Sequence, residues 1–424
     1  MRIVVLGAGG REHALAWKLA QSPLAEAVWA PSPVADAEPG LRALPAMDDP
    51  DACAEFCLAQ GIDLVVIGPE APLVAGWADR LRARDLTVFG PDARGARLEG
   101  SKVAAKEFMK RYGIPTAEFA VCHDLDQVRA AAARFPGVPV VKYDGLAAGK
   151  GVAVPDSLDE AVAFAADGLG RAGQSSVLLE ERLAGPEVSL LAVTDGRGVH
   201  LLPPSQDHKR VFEGDRGPNT GGMGAYTPVP GCDAAWLSEM EKLVFEPFLE
   251  GVRAEGLDYR GVIYAGLMLT EHGPMVLEFN CRFGDPETQP LMCAIDGDLL
   301  PLLWSAARGN LATRPLETQA ALCVVLAAAG YPAAPVTGEP ISGLEHARLV
   351  PNVKVFHAGT RRDAGTQRVG DRFLTRGGRV LGVTGVGQTL AEAARAAYAA
   401  VDQIHFPGAQ FRRDIGARAL DPQE

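Results

Sequence analysis

The amino-terminal part of the chain alternates short apolar runs with helix-like stretches. Residues 3–6, 64–67 and 87–89 are apolar or β-branched, and residues 12–21, 51–60 and 72–83 carry helical patterning. That rhythm marks βαβ units, whose strands pair in parallel because each crossover helix brings the chain back to the same edge of the sheet. Residues 1–101 are therefore expected to form a doubly wound parallel sheet. The turn Phe89-Gly90-Pro91-Asp92 then releases the chain near Gly100 into a predicted helix over 102–112.

A chain of 424 residues exceeds one core, and roughly 100 to 200 residues per domain suggests two to four units. Between 115 and 192 the order is strand, helix, strand: apolar 138–143, a glycine run, helical 158–166 and apolar 177–181. This predicts an α+β unit around a glycine-rich turn. Residues 205–227 are polar and glycine-rich and are expected to be a functional loop. A helix is predicted over 234–252, and strands 262–270 and 275–280 should form a hairpin with a four-residue loop, Glu271-His272-Gly273-Pro274. The last hundred residues restart with apolar 321–328 and finish with an alanine-rich helix over 390–404, a closing α+β lobe expected over 320–420.

Composition removes several function classes. With 41 basic and 53 acidic residues the formal net charge is -12, which opposes broad binding to nucleic acid or to an anionic membrane. No apolar stretch of about 18 residues is present, so neither a membrane span nor a signal peptide is expected and the chain reads as cytoplasmic. Seven scattered cysteines without a CxxC pair argue against a disulfide framework and against a structural zinc site.

Four segments carry chemistry. Gly7-Ala8-Gly9-Gly10-Arg11-Glu12-His13 follows a strand and opens a helix, so backbone amides and the Arg11 guanidinium could meet an anion such as a phosphate. A dinucleotide is the weaker reading, because Glu12 stands where the fingerprint wants a small residue and no acid ends the strand at 28–30. Lys142-Tyr143-Asp144-Gly145-Leu146-Ala147-Ala148-Gly149-Lys150-Gly151 joins two lysines to three glycines at the end of an apolar strand, a pattern suited to a polyphosphate though equally to a plain hairpin. In Glu278-Phe279-Asn280, strand alternation puts Glu278 and Asn280 on one face, two oxygen ligands for a hard cation such as Mg²⁺. Arg282 follows, able to balance charge on a transferring phosphoryl group. Alone, such a strand is more often a solvated edge; the upstream lysine-glycine run and Arg282 favour the metal reading. The polar stretches Ser205-Gln206-Asp207-His208-Lys209-Arg210 and Gly217-Pro218-Asn219-Thr220-Gly221-Gly222-Met223-Gly224 could hold a small polar molecule. His208 lacks any activated serine or cysteine signature, and scattered Met109, Met240 and Met292 read as core.

Taken in order, these blocks resemble the phosphoribosylamine-glycine ligase family, the glycinamide ribonucleotide synthetases of the ATP-grasp superfamily. GAGGREHALAWKLAQSP, GPEAPL, LEGSK, DGLAAGKGV, SQDHKR, GPNTGGMGAY, YAGLM, EFNCRFGDPETQP, GGRVLGVT and RRDIG carry the resemblance nearly end to end. It implies α/β and α+β domains in three parts: an N-terminal phosphoribosylamine-binding domain over 1–101, an ATP-grasp domain over 102–310 with a small lid at about 115–190, and a C-terminal lobe over 320–420. It also implies ATP-dependent ligation of glycine to 5-phosphoribosylamine in de novo purine synthesis, through glycyl phosphate, with Mg²⁺ or Mn²⁺, by a monomer.

By the same resemblance, Lys102 and Lys142 hold ATP phosphates and the run Gly145, Gly149, Lys150 and Gly151 closes over them. Glu180, Glu181 and Leu183 form the hinge facing adenine, and Glu187 takes the ribose. Glu278 and Asn280 hold the metal, and Arg282 stabilises the transferring phosphoryl group. Gly9, Gly10, Arg11 and Glu12 take the phosphoribosylamine, and Asp207, Asn219, Thr220 and Gly221 line the shared cavity. Two departures stand out. Ala30-Pro31-Ser32-Pro33-Val34-Ala35-Asp36 replaces the family's glycine- and asparagine-containing loop, and Tyr143 occupies a position commonly small, with consequences expected for nucleotide affinity or lid packing. Competing readings are another ATP-grasp ligase, a formate-using formyltransferase or a carboxylase; a dinucleotide-dependent dehydrogenase; and a silent nucleotide-binding protein.

Overall fold

A computed structural model of the chain describes residues 1–146, 151–171, 173–363 and 373–420. The amino-terminal domain is a five-stranded parallel sheet of β1 (Arg2–Leu6), β2 (Ala27–Pro31), β3 (Arg42–Leu44), β4 (Leu64–Ile67) and β5 (Val88–Phe89) in the order β3-β2-β1-β4-β5. The order reverses between β1 and β4, and the crevice at their carboxyl ends is where doubly wound sheets bind ligands. The helix Gly10–Ala20 leaves β1 at that point, and the segment from Gly68 to Glu70 leaves β4 beside it.

β3 and a single helical turn at Ser32–Ala35 were not expected from the sequence. β3 has two exposed residues in three, Arg42 and Ala43, and so carries no apolar run. The helix expected over 72–83 is two helices, Glu70–Val74 and Trp77–Arg82, parted at Gly76, whose φ of +77° no helix accommodates.

The lid is a four-stranded antiparallel sheet in the order Phe119–Cys122, Val177–Glu180, Val140–Tyr143, Val152–Ala153. Helices Leu125–Ala132 and Leu158–Leu169 cover one face through a core that includes Val141, Tyr143, Val177 and Leu179. Alternation sends Lys142 and Glu180 to the other face. The central sheet, also antiparallel, runs Val199–Leu201, Glu187–Thr194, Gly261–Thr270, Gly273–Asn280 and packs on Lys102–Arg111 and Glu246–Glu255. The hairpin loop is two residues, Glu271 and His272, because Thr270 already pairs with Gly273. Pro274 misled the sequence reading; Gly273–Asn280 is an edge strand, where proline removes no ladder bond.

Residues 205–227 also differ from expectation. They contain Gln206–Asp207, Arg210–Phe212, Arg216–Asn219 and Gly224–Thr227, strands too short and polar to show a period. Two of them extend the carboxyl-terminal sheet, in the order Gln206–Asp207, Gly224–Thr227, Ala320–Ala327, Arg379–Gly387, Val353–His357. That sheet draws strands from both sides of the division placed near residue 310. Met109, Met240 and Met292 are fully buried, and all seven cysteines are free and buried. Among the described residues no helix is long and apolar enough to cross a membrane.

Candidate active site

The inner face of the lid, the central sheet and the 207–221 segment enclose a cavity of about 240 Å³. Of the sequence-predicted residues it gathers Lys102, Lys142, Gly145, Gly151, Glu180, Asp207, Thr220, Gly221, Glu278, Asn280 and Arg282. Gly149 and Lys150 lie outside the described residues.

Lys142 Nζ lies 2.8 Å from Glu180 Oε1 and also donates to Leu277 O at 3.3 Å. Lys106 Nζ takes the other carboxylate oxygen at 2.9 Å, one helical turn along from Lys102. Glu180 is therefore buried under two ammonium groups rather than turned as a free side chain toward a base. Lys102 Nζ donates to Gly145 O at 2.9 Å, tying the start of the glycine run to the helix Lys102–Arg111. Burial holds the Lys102 ammonium below its usual range despite Glu278 nearby, and brings that of Lys106 down to about 8.

Glu278 and Asn280 sit on one face of the strand Gly273–Asn280, with Asn280 Nδ2 3.4 Å from Glu278 Oε1 and Phe279 buried in the core behind. Burial opposes the charge on Glu278, yet Lys209, Lys142 and Lys102 hold it below the ordinary carboxylate range, so it is ionised. Glu278 offers a charged oxygen and Asn280 Oδ1, here accepting from Arg282 Nη2, a second from the same strand face, a donor set that fits a divalent cation. Among the described residues no three His, Cys, Asp or Glu side chains form a closed cage.

Arg282 is held on its far side by Glu99 at 2.9 Å and Glu70 at 3.5 Å, while Nη2 also meets Asn280 Oδ1 at 3.2 Å. Burial alone would lower its pKa; Glu99 and Glu70 raise it instead. Glu70 also lies 3.8 Å from Arg11, so one carboxylate links the phosphate side of the cavity to the amino-terminal turn. There Glu12 accepts from Gly9 N at 2.8 Å and from Arg11 Nε at 2.6 Å, and a Cβ on Gly68 would lie 2.4 Å from Glu12 Oε1. The Gly9 amide is thus taken by its own helix cap, and an anion at this turn would meet Arg11 and not that N–H. The same cap fills the space that a dinucleotide fingerprint leaves open.

The remaining predicted residues lie at the margins. Glu181 faces a surface hollow beside Val138 and Arg182, while Leu183 is half-buried. Glu187 pairs with Lys209 at 2.7 Å at the cavity's edge. Asn219 is exposed and opens on a neighbouring cavity of about 590 Å³ with Arg210 and Tyr331. Tyr143 points away from the site: its ring stacks on Phe164 with centroids 4.4 Å apart and its hydroxyl donates to Asp167 at 2.8 Å. His208 is buried under Gly416, without a catalytic partner.

Sequence reasoning missed Lys106, Glu70, Glu99, Lys209, Tyr264, Asp285 and Glu287, all of which line the cavity. Lys106 had a signal, its spacing of four from Lys102. Tyr264, bonded through its hydroxyl to Ser189 at 2.7 Å and Glu287 at 2.8 Å, had only its place at the head of the YAGLM block, being otherwise one strand residue among many apolar ones.

Comparison with known proteins bears on the whole chain. Residues 1–99, 100–288 and 321–418 match the phosphoribosylglycinamide synthetase N domain, ATP-grasp (A) domain and C domain. A phosphoribosylamine–glycine ligase of Rhizobium meliloti is 46% identical, the alignment covering 99% of each chain. One from Allochromatium vinosum is 48% identical over 99% of each chain. The crystal structure of a phosphoribosylamine–glycine ligase from Thermotoga maritima superposes with a TM-score of 0.84 at 37% identity, covering 98% of this chain and all (100%) of that one. With its cavity, its three matched domains and relatives of such identity over nearly its full length, the chain belongs to the phosphoribosylglycinamide synthetase family.

Proposed function

We propose that the chain ligates glycine to 5-phosphoribosylamine, converting ATP to ADP and phosphate and giving glycinamide ribonucleotide in purine synthesis. The reading is carried by the convergence of Lys142, Lys102, Glu278, Asn280 and Arg282 on one cavity that is linked through Glu70 to Arg11. Residues 1–101 are assigned to the amine substrate and 102–310, with the lid at about 115–190, to ATP, followed by the carboxyl-terminal α+β lobe over 320–420.

A glycine carboxylate oxygen attacks the γ-phosphorus, the bond to the ADP oxygen breaks, and glycyl phosphate forms. The amine nitrogen of phosphoribosylamine then attacks the acyl carbon and phosphate departs with the nitrogen's proton. Neither step uses a protein nucleophile; positioning and charge balance are the enzyme's part. Lys142 and Lys102 take the ATP phosphates, with Gly145, Gly149, Lys150 and Gly151 covering them. Glu181 and Leu183 frame adenine next to Glu180, and Glu187 takes the ribose. Arg282, backed by Glu99 and Glu70, faces the oxygens on which charge builds. Gly9, Gly10, Arg11 and Glu12 receive the amine substrate, against a wall of Asp207, Asn219, Thr220 and Gly221. Glu278 and Asn280 would hold Mg²⁺ or Mn²⁺, which would supply positive charge to offset that of the phosphates. A monomer is in keeping with the family resemblance, and the seven free thiols suit the reducing cytoplasm.

The test is ADP release with ATP and Mg²⁺, omitting glycine or phosphoribosylamine in turn and offering formate or alanine in place of glycine. ADP release that needs glycine and phosphoribosylamine together is expected; release with another carboxylate or acceptor would overturn the substrate assignment.

A further inference from the structure

A partly buried network outside the cavity joins the amino-terminal domain to the carboxyl-terminal lobe. Val353–His357 is an edge strand, and its last N–H has no strand beside it. That amide, of His357, donates to His13 Nδ1 at 2.9 Å. Nδ1 is thereby an acceptor, so a neutral His13 carries its proton on Nε2. Nε2 lies 3.2 Å from Glu38 Oε2, and the same oxygen receives Lys354 Nζ at 2.5 Å. Arg348 Nη2 adds a bond to Ala37 O at 3.3 Å. His13 has no exposed surface, and burial keeps it neutral.

Two parts of the amino-terminal domain end in this network. His13 lies one turn into the helix Gly10–Ala20, directly after Arg11 and Glu12. Glu38 follows the 31–36 segment, where the chain departs from the glycine- and asparagine-containing loop of its family. Both are fastened to the strand that leads into Ala358, and Gly10 packs so closely there that an added Cβ would meet Ala358 Cβ at 3.4 Å and Gln289 Nε2 at 2.7 Å. A partly buried set of directional polar bonds holds such a junction in one register, whereas an apolar contact would let it slide.

We infer that Glu38, clamped between His13 and Lys354, is a positioning residue that registers the Gly9–Arg11 turn and the 31–38 segment against the carboxyl-terminal lobe, and so sets the pocket for phosphoribosylamine. The inference rests on the proposed role of that turn. The Glu38 carboxylate touches no reacting atom; it acts through the helix that carries His13.

Steady-state kinetics on the full chain, with phosphoribosylamine generated in situ, tests this. Glu38→Ala is expected to raise KM for phosphoribosylamine about tenfold while kcat and KM for ATP stay within about twofold. Glu38→Gln, which keeps one acceptor oxygen, should fall between, and Lys354→Arg should stay close to the parent. Lys354→Met carries the same expectation as Glu38→Ala should the latter fail to fold. An unchanged KM in Glu38→Ala or Lys354→Met, with Arg11→Ala raising it, overturns the inference and leaves the pocket assignment standing. An unchanged KM in Arg11→Ala overturns the pocket assignment itself. A loss of kcat with every KM unchanged assigns Glu38 a merely structural role and also overturns the inference.

Discussion

Lys106 and Glu180 form an ion pair of 2.9 Å in which neither side chain is more than 3% exposed. Lys142 holds the second oxygen of the same carboxylate, so one buried acid serves two ammonium groups. If Lys142 turns to a phosphate, Lys106 stays behind as the counter-charge, sparing the cost of an unpaired buried carboxylate. Lys106→Met should therefore leave Glu180 bound to Lys142 alone, raising KM for ATP by about tenfold and lowering stability by about 3 kcal/mol. Lys106→Arg should recover most of the ATP affinity. ATP titration by calorimetry and thermal melting check both.

Arg282 offers a sharper dissection of catalysis from folding. Removing it leaves buried Glu99 without its ion-pair partner and Glu70 with Arg11 alone. Arg282→Ala should reduce kcat by about two to three orders of magnitude and lower stability by about 3 kcal/mol. Arg282→Lys restores charge without the fork that reaches both acids, and should recover stability more than turnover. Single-turnover ADP formation and denaturant titration separate the two effects.

Glu278→Gln tests the metal assignment by ligand removal. The change keeps shape and takes away the charge that three lysines hold in place. The variant should need at least about tenfold more Mg²⁺ for half-maximal turnover, while binding of metal-free ADP is unchanged or tighter. A chelator should silence the parent enzyme and be reversed by Mg²⁺ or Mn²⁺.

Tyr143 belongs to the lid's core. It is 2% exposed, stacked on Phe164 and bonded to Asp167. Tyr143→Ala should cost about 3–5 kcal/mol, as for other large aromatic truncations, whereas Tyr143→Phe loses one hydrogen bond and about 1 kcal/mol. Melting curves of the two variants, with ATP binding measured at a temperature where both remain folded, check this.

Acid lability follows from His208. Burial, reinforced by Arg412 and Arg418, brings its pKa from 6.5 down to about 4. The unfolded chain takes up this proton below its ordinary value and the folded chain only near 4, so stability is full above about pH 6.5 and falls as pH drops toward 4. The loss from this one group is about 3 kcal/mol and levels off once both states are protonated. Buried His13 and His357 are lowered too and act in the same direction. His208→Gln should flatten the pH dependence of the denaturation midpoint across that window.

Local patterns carried a large part of this reading. The period of residues 3–6 and 64–67 marked parallel strands, and alternation at Glu278 and Asn280 set two polar side chains on one face. Those features depend on neighbours within a few residues, and the chain's own sequence is enough for them. The blocks quoted above also named the family, because a run such as EFNCRFGDPETQP is far longer than chance spacing allows.

Tertiary structure decided what depends on residues far apart. Gln206–Asp207 and Gly224–Thr227 look like loop until they pair with each other and Gly224–Thr227 pairs with Ala320–Ala327, because strands of two to four residues bury too little to show a period. The sequence does not show that Glu12 caps its own helix over Gly68, or that Tyr143, next in the chain to Lys142, turns into the core beneath Phe164. The partners of Arg282, Lys142 and His13 lie at Glu99, Glu180 and His357, between 38 and 344 residues away in the chain. Charge pairing across such separations leaves no trace in local pattern; strand pairing within one sheet for Lys142 and Glu180, and packing between distant segments for Arg282 and His13, bring those groups within hydrogen-bonding distance.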